Sequence, residues 1–385
     1  MTITDQDDRL RVLRERAREW AEQLRPHAFE LERDPDTVYR HLDLPAVDYV
    51  GKMLIPPRMQ PNPMRIGDYE YYGTTAVERV VAAEEIASGD AGMFLASPGA
   101  SLSGVLVGML GDEAQQQWYF GRVRERPTWT FFALTEPARG SDAMALSTTL
   151  RKASDGSLTL HGEKRYVGNA TRAQLGTVFA RTGPGPLGVV AVLVETDAPG
   201  YQAEPLDTIG LRGAQISAIR FDGVPVDPGR VLGAHLPASA RGMWSALRTF
   251  NLLRPGVAAI ALGIARAAIE YARSNGERGR HREELDRLGH RVHTTRQLIL
   301  RAAHEVDRDP RNGYLASAAK AQAAQLAEEA TLQSLRMLGP GARFEHPWLD
   351  KLARDARGVE FMEGTRNVQR LNVCHALTKG RFDDD

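Results

Sequence analysis

One cysteine, Cys374, occurs in the 385 residues. No intrachain disulfide can form, which suits a reducing compartment, and a cytoplasmic location is expected. Charge of either sign is not in excess: Lys plus Arg and Asp plus Glu number 49 each. Bulk charge therefore recruits neither nucleic acid nor an anionic membrane, and neither partner is expected. No apolar run approaches the ~18 residues of a membrane-spanning helix. Residues 1–8 are acidic and lack the apolar core of a signal peptide. Repeats and low-complexity segments are absent too. What is present is an ordinary globular composition, 42% hydrophobic and 25% charged. The length predicts roughly two or three domains of ~150 residues.

The order of patterns divides the chain. Leu10, Val12, Leu13, Ala17, Trp20, Ala21 and Leu24 recur with a period near 3.6, and Pro26 ends or kinks that helix. A loop-rich insert follows, with Pro45, Pro56, Pro57, Pro61 and Pro63. Helices are expected over 77–87, 91–110 and 113–122, the last opened by a capping box of Asp112 and Gln115. From about Thr128 to Val231, short β-rich runs alternate with turns, as in a small barrel or sandwich. Helices return from about Ala238. Pro255 suits the first turn of one running to about Ala272; others cover 283–306 and an Ala-rich 316–338. We expect an α+β, multidomain chain: helical 1–127, β 128–237, helical bundle 238–385.

Two stretches carry chemistry. In Phe361-Met362-Glu363-Gly364-Thr365 a carboxylate sits beside a glycine just before a helix marked by Val368, Leu371 and Cys374. Thr365 can cap that helix, and Gly364 lets a backbone or flat ring approach. Glu363 beside Met362 is placed as a base whose pKa desolvation raises. In Phe131-Phe132-Ala133-Leu134-Thr135-Glu136-Pro137-Ala138-Arg139-Gly140-Ser141-Asp142 a strand ends in a turn whose N–H and hydroxyl groups can bond the polar edge of a heterocycle. Gly162-Glu163-Lys164-Arg165-Tyr166-Val167-Gly168-Asn169-Ala170 follows, an aromatic with a glycine and an amide close behind.

With these motifs the chain resembles the acyl-CoA dehydrogenase family over nearly its whole length. Leu134–Asp142 is similar to the family's Thr-Glu-Pro…Gly-Ser-Asp flavin signature, and Lys164–Asn169 to its Trp-Ile-Thr-Asn strand. Gly210-Leu211-Arg212-Gly213 through Phe221 and Val224-Pro225 resembles the barrel's closing strands. Leu253-Arg254-Pro255 resembles the opening of the long C-terminal helix. Lys351 through Arg357, followed by Glu363-Gly364-Thr365, resembles the segment that carries the base. The resemblance implies an acyl-CoA dehydrogenase-like fold: N-terminal helical domain, central β-barrel domain and C-terminal four-helix bundle. It implies FAD-dependent α,β-dehydrogenation of an acyl thioester, on CoA or on an acyl carrier protein. Glu363 would abstract the α-proton, its N–H would bond the thioester oxygen, and flavin N5 would accept the β-hydride. Carried over residue by residue, FAD would contact Phe132, Ala133, Leu134, Thr135, Gly140, Ser141, Tyr166, Val167, Gly168, Arg278, Arg336, Gly339, Thr365 and Asn367. Substrate would contact Ser141, Asn251, Arg254 and Gly364. Electrons would pass to electron-transfer flavoprotein or oxygen, and the assembly would be a homo-oligomer, tetramer or dimer.

The chain departs from the pattern at three places. Tyr166 replaces the usual Trp. Gly168 replaces the Thr or Ser whose hydroxyl bonds flavin N5. The Arg-x-x-Phe-Gly segment that grips a neighbouring subunit's FAD diphosphate is missing, with Asn275 to Arg280 in its region; Arg336 can stand in for the matching Gln, and Arg278 or Arg280 can help. Leu253 occupies the other place where some members keep the base, which favours Glu363; Glu136 is expected to be structural. His281, His290, His293 and His304 lack a metal motif, and no metal is expected. Cys374 is expected to be a buried small apolar residue. Two other readings compete: a flavin monooxygenase on the same scaffold, and a relative that has lost FAD and acts as a binding subunit.

Overall fold

Asp7 starts the chain's first helix, its carboxylate accepting from the Arg9 and Leu10 N–H groups. The computed structural model describes residues 7–138, 140, 145–276, 279 and 281–380. Helix α1 (Asp8–Leu24) buries the expected stripe of Leu10, Leu13, Ala17, Trp20, Ala21 and Leu24. At Pro26 it tightens into a 3₁₀ turn before α2 (Ala28–Arg33). The proline-rich insert holds α3 (Pro45–Lys52) and a hairpin of β1 (Met64–Ile66) and β2 (Tyr69–Tyr71).

The next helices are divided differently from expectation. Helix α4 (Ala76–Ala96) runs on past residue 87, interrupted at Asp90, whose φ/ψ are −161°/114°. Asp90 there accepts from the Gly92 N–H at 3.0 Å and from Lys351 Nζ at 2.7 Å. Side-chain acceptance of this kind competes with the helix ladder. Helix α5 (Ser101–Leu110) starts only after the Pro98-Gly99 break. Helix α6 (Glu113–Glu125) has the predicted capping box.

The middle of the chain is a seven-stranded sheet curled into a half-barrel: β3 (Thr130–Ala133), β4 (Thr149–Lys152), β5 (Leu158–Val167), β6 (Leu175–Arg181), β7 (Val189–Glu195), β8 (Tyr201–Pro205) and β9 (Ser217–Val226). The order is β3-β6-β4-β5-β9-β8, with β7 on the other side of β6. Strand β3 runs parallel to β6, and the long β5–β9 pair is antiparallel.

The C-terminal helices are α7 (Met243–Asn275), α8 (Arg282–Arg308), α9 (Tyr314–Met337), α10 (Ala342–Glu345), α11 (Pro347–Val359) and α12 (Arg366–Leu377). Pro255 lies inside α7, not in its first turn; the helix begins at Met243. Burial of Ser245, Ala246, Thr249, Asn251 and Arg254 holds the earlier turns in place. The guanidinium of Arg79 donates to the Leu252 carbonyl at 2.7 Å, serving a backbone group near the proline. At Gly263 a Cβ would lie 2.3 Å from the Glu84 carbonyl, so α7 and α4 cross in close contact there. Helix α7 with its preceding turn, Ala238–Asn275, is long and apolar enough to cross a membrane, against expectation. Its apolar window is 78% buried within the fold, which marks it as the core helix.

Candidate active site

Glu363 sits in the turn between α11 and α12, in left-handed backbone at φ +49°, followed by Gly364 at φ +99°. A glutamate held there is strained, and only a well-anchored turn keeps it so. The anchors come from two other elements. Lys320, buried on α9, donates from Nζ to the Glu360 carbonyl at 2.6 Å and the Gly364 carbonyl at 2.7 Å. Gln369, buried on α12, donates from Nε2 to the Glu363 carbonyl at 2.9 Å and the Gly364 carbonyl at 3.1 Å. At φ +99° a side chain on residue 364 would be strained, and its Cβ would stand 2.7 Å from that Nε2 and push the clamp aside.

The Glu363 carboxylate points inward, and its Oε2 is buried without a hydrogen-bond partner. Burial pushes its pKa up to about 7, while Arg254, Lys320 and Arg79 pull the other way. The first two cations are tied down nearby: Lys320 by the turn itself, Arg254 by Nη1 donation to Asn251 Oδ1 at 2.9 Å. Arg79 donates to the Gly73, Thr74 and Leu252 carbonyls. Among the described residues, the Glu363 N–H has no acceptor.

Across the fold, the β3 turn is built on a second buried carboxylate, Glu136. It accepts from the N–H and hydroxyl of both Ser147 and Thr148, and from Lys164 Nζ at 2.9 Å. Burial opposes its charge, yet Ser147, Lys164 and Thr148 outweigh burial and hold its pKa at about 2. Lys164 also donates to the Leu134 carbonyl, and the Arg165 N–H to the Thr135 carbonyl at 2.9 Å. The strand end Ala133-Leu134-Thr135 is thereby locked to β5.

At the end of β5 the ladder with β9 slips. Arg165 pairs Ala218 and Val167 pairs Ser217, which leaves Tyr166 outside the register at φ +62°. This bulge turns the Tyr166 ring outward, 65% exposed. Beyond it, a Cβ on Gly168 would meet nothing nearer than 3.9 Å. Asn169 closes the turn, donating to the Leu95 carbonyl from its amide and to the Ala214 carbonyl from its N–H.

The two halves approach through Phe132 on β3, whose ring lies 5.6 Å from that of Phe250 on α7. Phe250 stands one helical turn before Arg254. A cleft of about 530 Å³ opens beside it, lined by Trp244, Leu247, Arg248, Asn251, Asp309 and Arg311. The fold therefore gathers two groups of sequence-predicted residues. One is Glu363, Gly364, Asn251 and Arg254; the other is Phe132, Ala133, Leu134, Thr135, Tyr166, Val167 and Gly168. Gly140 is exposed on the same β3 turn, while Ser141 and Arg278 lie outside the described residues. Arg336 and Gly339 do not join this group within one chain. Arg336 lies in the last turn of α9, 16 residues and so ~24 Å along it from Lys320, and Gly339 lies just beyond the end of that helix.

Two local expectations are corrected. Thr365 is the N-cap residue of α12 but makes no side-chain cap. Glu360 takes that role, accepting from the Arg366 N–H at 2.8 Å, because a carboxylate at a helix N-terminus gains charge-assisted bonding and the dipole interaction. Cys374 is exposed, not buried; α12 turns its Gln369–Ala376 side inward instead. Asn367 is exposed in that helix's first turn. Sequence reasoning missed Lys320, Gln369 and Arg79. The one legible signal was a lone lysine in the Ala-rich run of α9.

The site has the chemistry of a pocket for a flat polar ring beside a reactive carboxylate. Among the described residues, Arg165 Nε is buried and unpartnered, Tyr166 presents an exposed ring, Gly168 leaves space, and Glu363 keeps both Oε2 and N–H free. These features fit FAD. Fold and site define a flavoprotein oxidoreductase built on a helix–half-barrel–helix frame.

Comparison with known proteins carries this further. Residues 131–224 match the family model "Acyl-CoA dehydrogenase, middle domain", and residues 240–378 match "Acyl-CoA dehydrogenase, C-terminal domain". The 3-(aryl)acrylate reductase of Clostridium sporogenes is 31% identical over 328 residues, 80% of this chain and 85% of that protein. An acyl-CoA dehydrogenase of Bacillus subtilis is 32% identical over 284 residues, 70% and 74% of the two chains. The solved butyryl-CoA dehydrogenase of Megasphaera elsdenii superposes with a TM-score of 0.82 at 25% identity, covering 96% of this chain and 98% of that one. The chain belongs to the acyl-CoA dehydrogenase family. It is an FAD-dependent oxidoreductase of the kind that dehydrogenates acyl thioesters.

Proposed function

We propose that the protein removes the α-proton and a β-hydride from an acyl thioester, with Glu363 as the base. The thioester is carried on CoA or on the pantetheine arm of an acyl carrier protein. The observation that carries the assignment is the Glu363 carboxyl, with Oε2 buried and unpartnered among the described residues and its pKa pushed up to about 7. A base at that value is ionised enough near neutral pH to take a proton and basic enough to keep it. Glu136 cannot serve, because Ser147, Thr148 and Lys164 occupy its oxygens. The free Glu363 N–H is available to the thioester oxygen as charge develops there. The cleft beside Asn251 admits the arm, and Arg254 orients Asn251 at its inner end. The Phe132–Thr135 strand end, Tyr166, Val167 and Gly168 would hold the flavin ring, with Thr365 and Asn367 near its other side. When bound, FAD supplies the hydride acceptor and passes the electrons on, to electron-transfer flavoprotein or oxygen.

Leu332, Phe361, Leu371 and Leu377 are exposed on α9, on α12 and in the turn before α12, an apolar surface of the kind subunit contacts cover. We read the assembly as a cytoplasmic homo-oligomer, dimer or tetramer, in which Arg336 and Gly339 of one copy reach the FAD diphosphate of another. A monooxygenase reading draws on one feature, the open space at Gly168, and is set against the presence of Glu363. The test is an electron-acceptor assay on a panel of acyl-CoAs and acyl carrier proteins, followed by mass spectrometry. Loss of two hydrogens is expected. Gain of oxygen by the substrate, or no turnover of any thioester by flavin-loaded protein, would overturn the reading.

A further inference from the structure

We propose that His27, Glu30 and His41 form a binding site for one divalent transition-metal ion, Zn²⁺ by ligand type, in the N-terminal helical region. It shares no residue with the site around Glu363. The three side chains come from separate short elements: the 3₁₀ turn Arg25–His27, helix α2, and the residue closing the 3₁₀ segment Pro35–Arg40. One donor atom from each lies within 4.8 Å of the other two.

The geometry suits a metal better than it suits hydrogen bonds. His41 Nε2 is buried and, among the described residues, has no hydrogen-bond partner. Glu30 Oε2 lies 3.5 Å from it, too far for a sound hydrogen bond. Two ligands on a tetrahedral Zn²⁺, at metal distances of ~2.0–2.2 Å, stand ~3.3 Å apart. The observed separation is close to that edge. The imidazole rings of His27 and His41 lie 4.1 Å apart, tilted by 39°, so the two histidines are held against each other beside Glu30. Arg40 Nη1 donates to Glu30 Oε1 at 3.0 Å and so leaves Oε2 turned toward the histidines, as outer partners of metal-bound carboxylates do. His41 is itself fixed by its N–H bond to the Val38 carbonyl. Two imidazoles and one carboxylate, with water completing the tetrahedron, are a borderline donor set. It suits Zn²⁺, Ni²⁺ or Cu²⁺ and disfavours Mg²⁺.

The ion would staple segment 27–41. That segment supports the turn behind the flavin-side strand. Leu31 packs against Gly213, Arg172 bridges the Pro35 and Gly213 carbonyls, and Ala214 accepts from the Asn169 N–H.

The test uses the full chain, flavin-loaded, without a histidine tag and freed of metal by a chelator. Calorimetric titration with ZnCl₂ is expected to show one ion per chain, with no comparable binding of MgCl₂. Losing an outer partner of a metal site costs ~10–100-fold in affinity. Losing a ligand, in His41→Ala or His27→Gln, should cost at least that, whereas His290→Ala on α8 should change nothing. If the variants fold poorly, X-ray absorption of the zinc-loaded wild type decides, with two imidazole ligands expected. Absence of stoichiometric binding, equal binding by both variants, or a zinc shell without histidine would overturn the proposal.

Discussion

Glu136 and Glu363 each turn a carboxylate into the fold from a turn, and their environments drive them in opposite directions. Glu136 is wrapped by two hydroxyls, two N–H groups and the Lys164 ammonium, and its pKa falls to about 2. Glu363 keeps one oxygen, Oε2, buried and unpartnered among the described residues, and its pKa rises to about 7 despite three cations around it. Burial alone raises a carboxyl pKa; donors aimed at the carboxylate lower it. One turn therefore makes a fixed anion that holds a strand end, and the other makes a carboxyl that titrates near neutral pH, as the proposed base requires. Stability follows with opposite signs. The Glu136 contribution is fully present above the ordinary value of 4.5 and is lost as pH falls toward 2. Burial of charged Glu363 weakens the fold above pH 7, and that penalty fades as pH falls from about 7 to 4.5.

The comparison is broken most severely by Glu363→Gln, which keeps shape but cannot accept a proton. Substrate-driven flavin bleaching in stopped flow should slow by ~10²–10⁴-fold or more, with flavin content unchanged. Bleaching at near wild-type speed would remove Glu363 as the base. On the opposite side, Glu136→Gln leaves Lys164 buried without its counter-ion. Denaturant unfolding should show a loss of ~3–5 kcal/mol, and flavin retention should fall because the Leu134–Thr135 strand end loses its anchor. An unchanged midpoint would mean that the carboxylate is not what fixes the turn.

Smaller effects sharpen the contrast. The wild-type bleaching rate should rise with pH through an apparent value near 7, because the base must be ionised. Arg254→Met should move that limb to higher pH, since one cation favouring the anion is lost; a limb that stays in place would separate Arg254 from the base. Glu363→Gln should also stabilise the protein by ~1–3 kcal/mol at pH 8 and by almost nothing at pH 4, read as unfolding midpoints. A pH-independent difference would contradict the burial argument. The smallest change concerns Gly168→Ser. The open space there accommodates the hydroxyl, so flavin content should persist while the reduction potential or reduction rate shifts measurably. If neither moves, residue 168 does not face the reacting edge of the ring.

Much of this arrangement was legible in local pattern. The α1 stripe, the Asp112–Gln115 box and the helix–sheet–helix order follow from periodicity and capping chemistry, which act over a few residues. Glu363 and the Glu136 turn were visible as short motifs. Errors arose where a distant group decided a local question. Asp90 bends α4 because Lys351 and Gly92 use its carboxylate. Pro255 is tolerated inside α7 where burial and Arg79 hold the neighbouring turns. Glu360, not Thr365, caps α12.

Sequence by itself determined the order of elements and the family, and singled out Glu363 as the candidate base, because each is written in contiguous residues. Only the tertiary structure decided what that carboxylate can do. The clamp of Lys320 and Gln369 on the Glu363 turn joins residues 40 or more apart in the case of Lys320 and spans a turn in the case of Gln369. The bulge that exposes Tyr166 depends on the register between β5 and β9. The meeting of His27, Glu30 and His41 depends on how two short turns fold back. A pKa is set by everything within a few ångströms of a group, and in a folded chain those neighbours come from everywhere in the sequence.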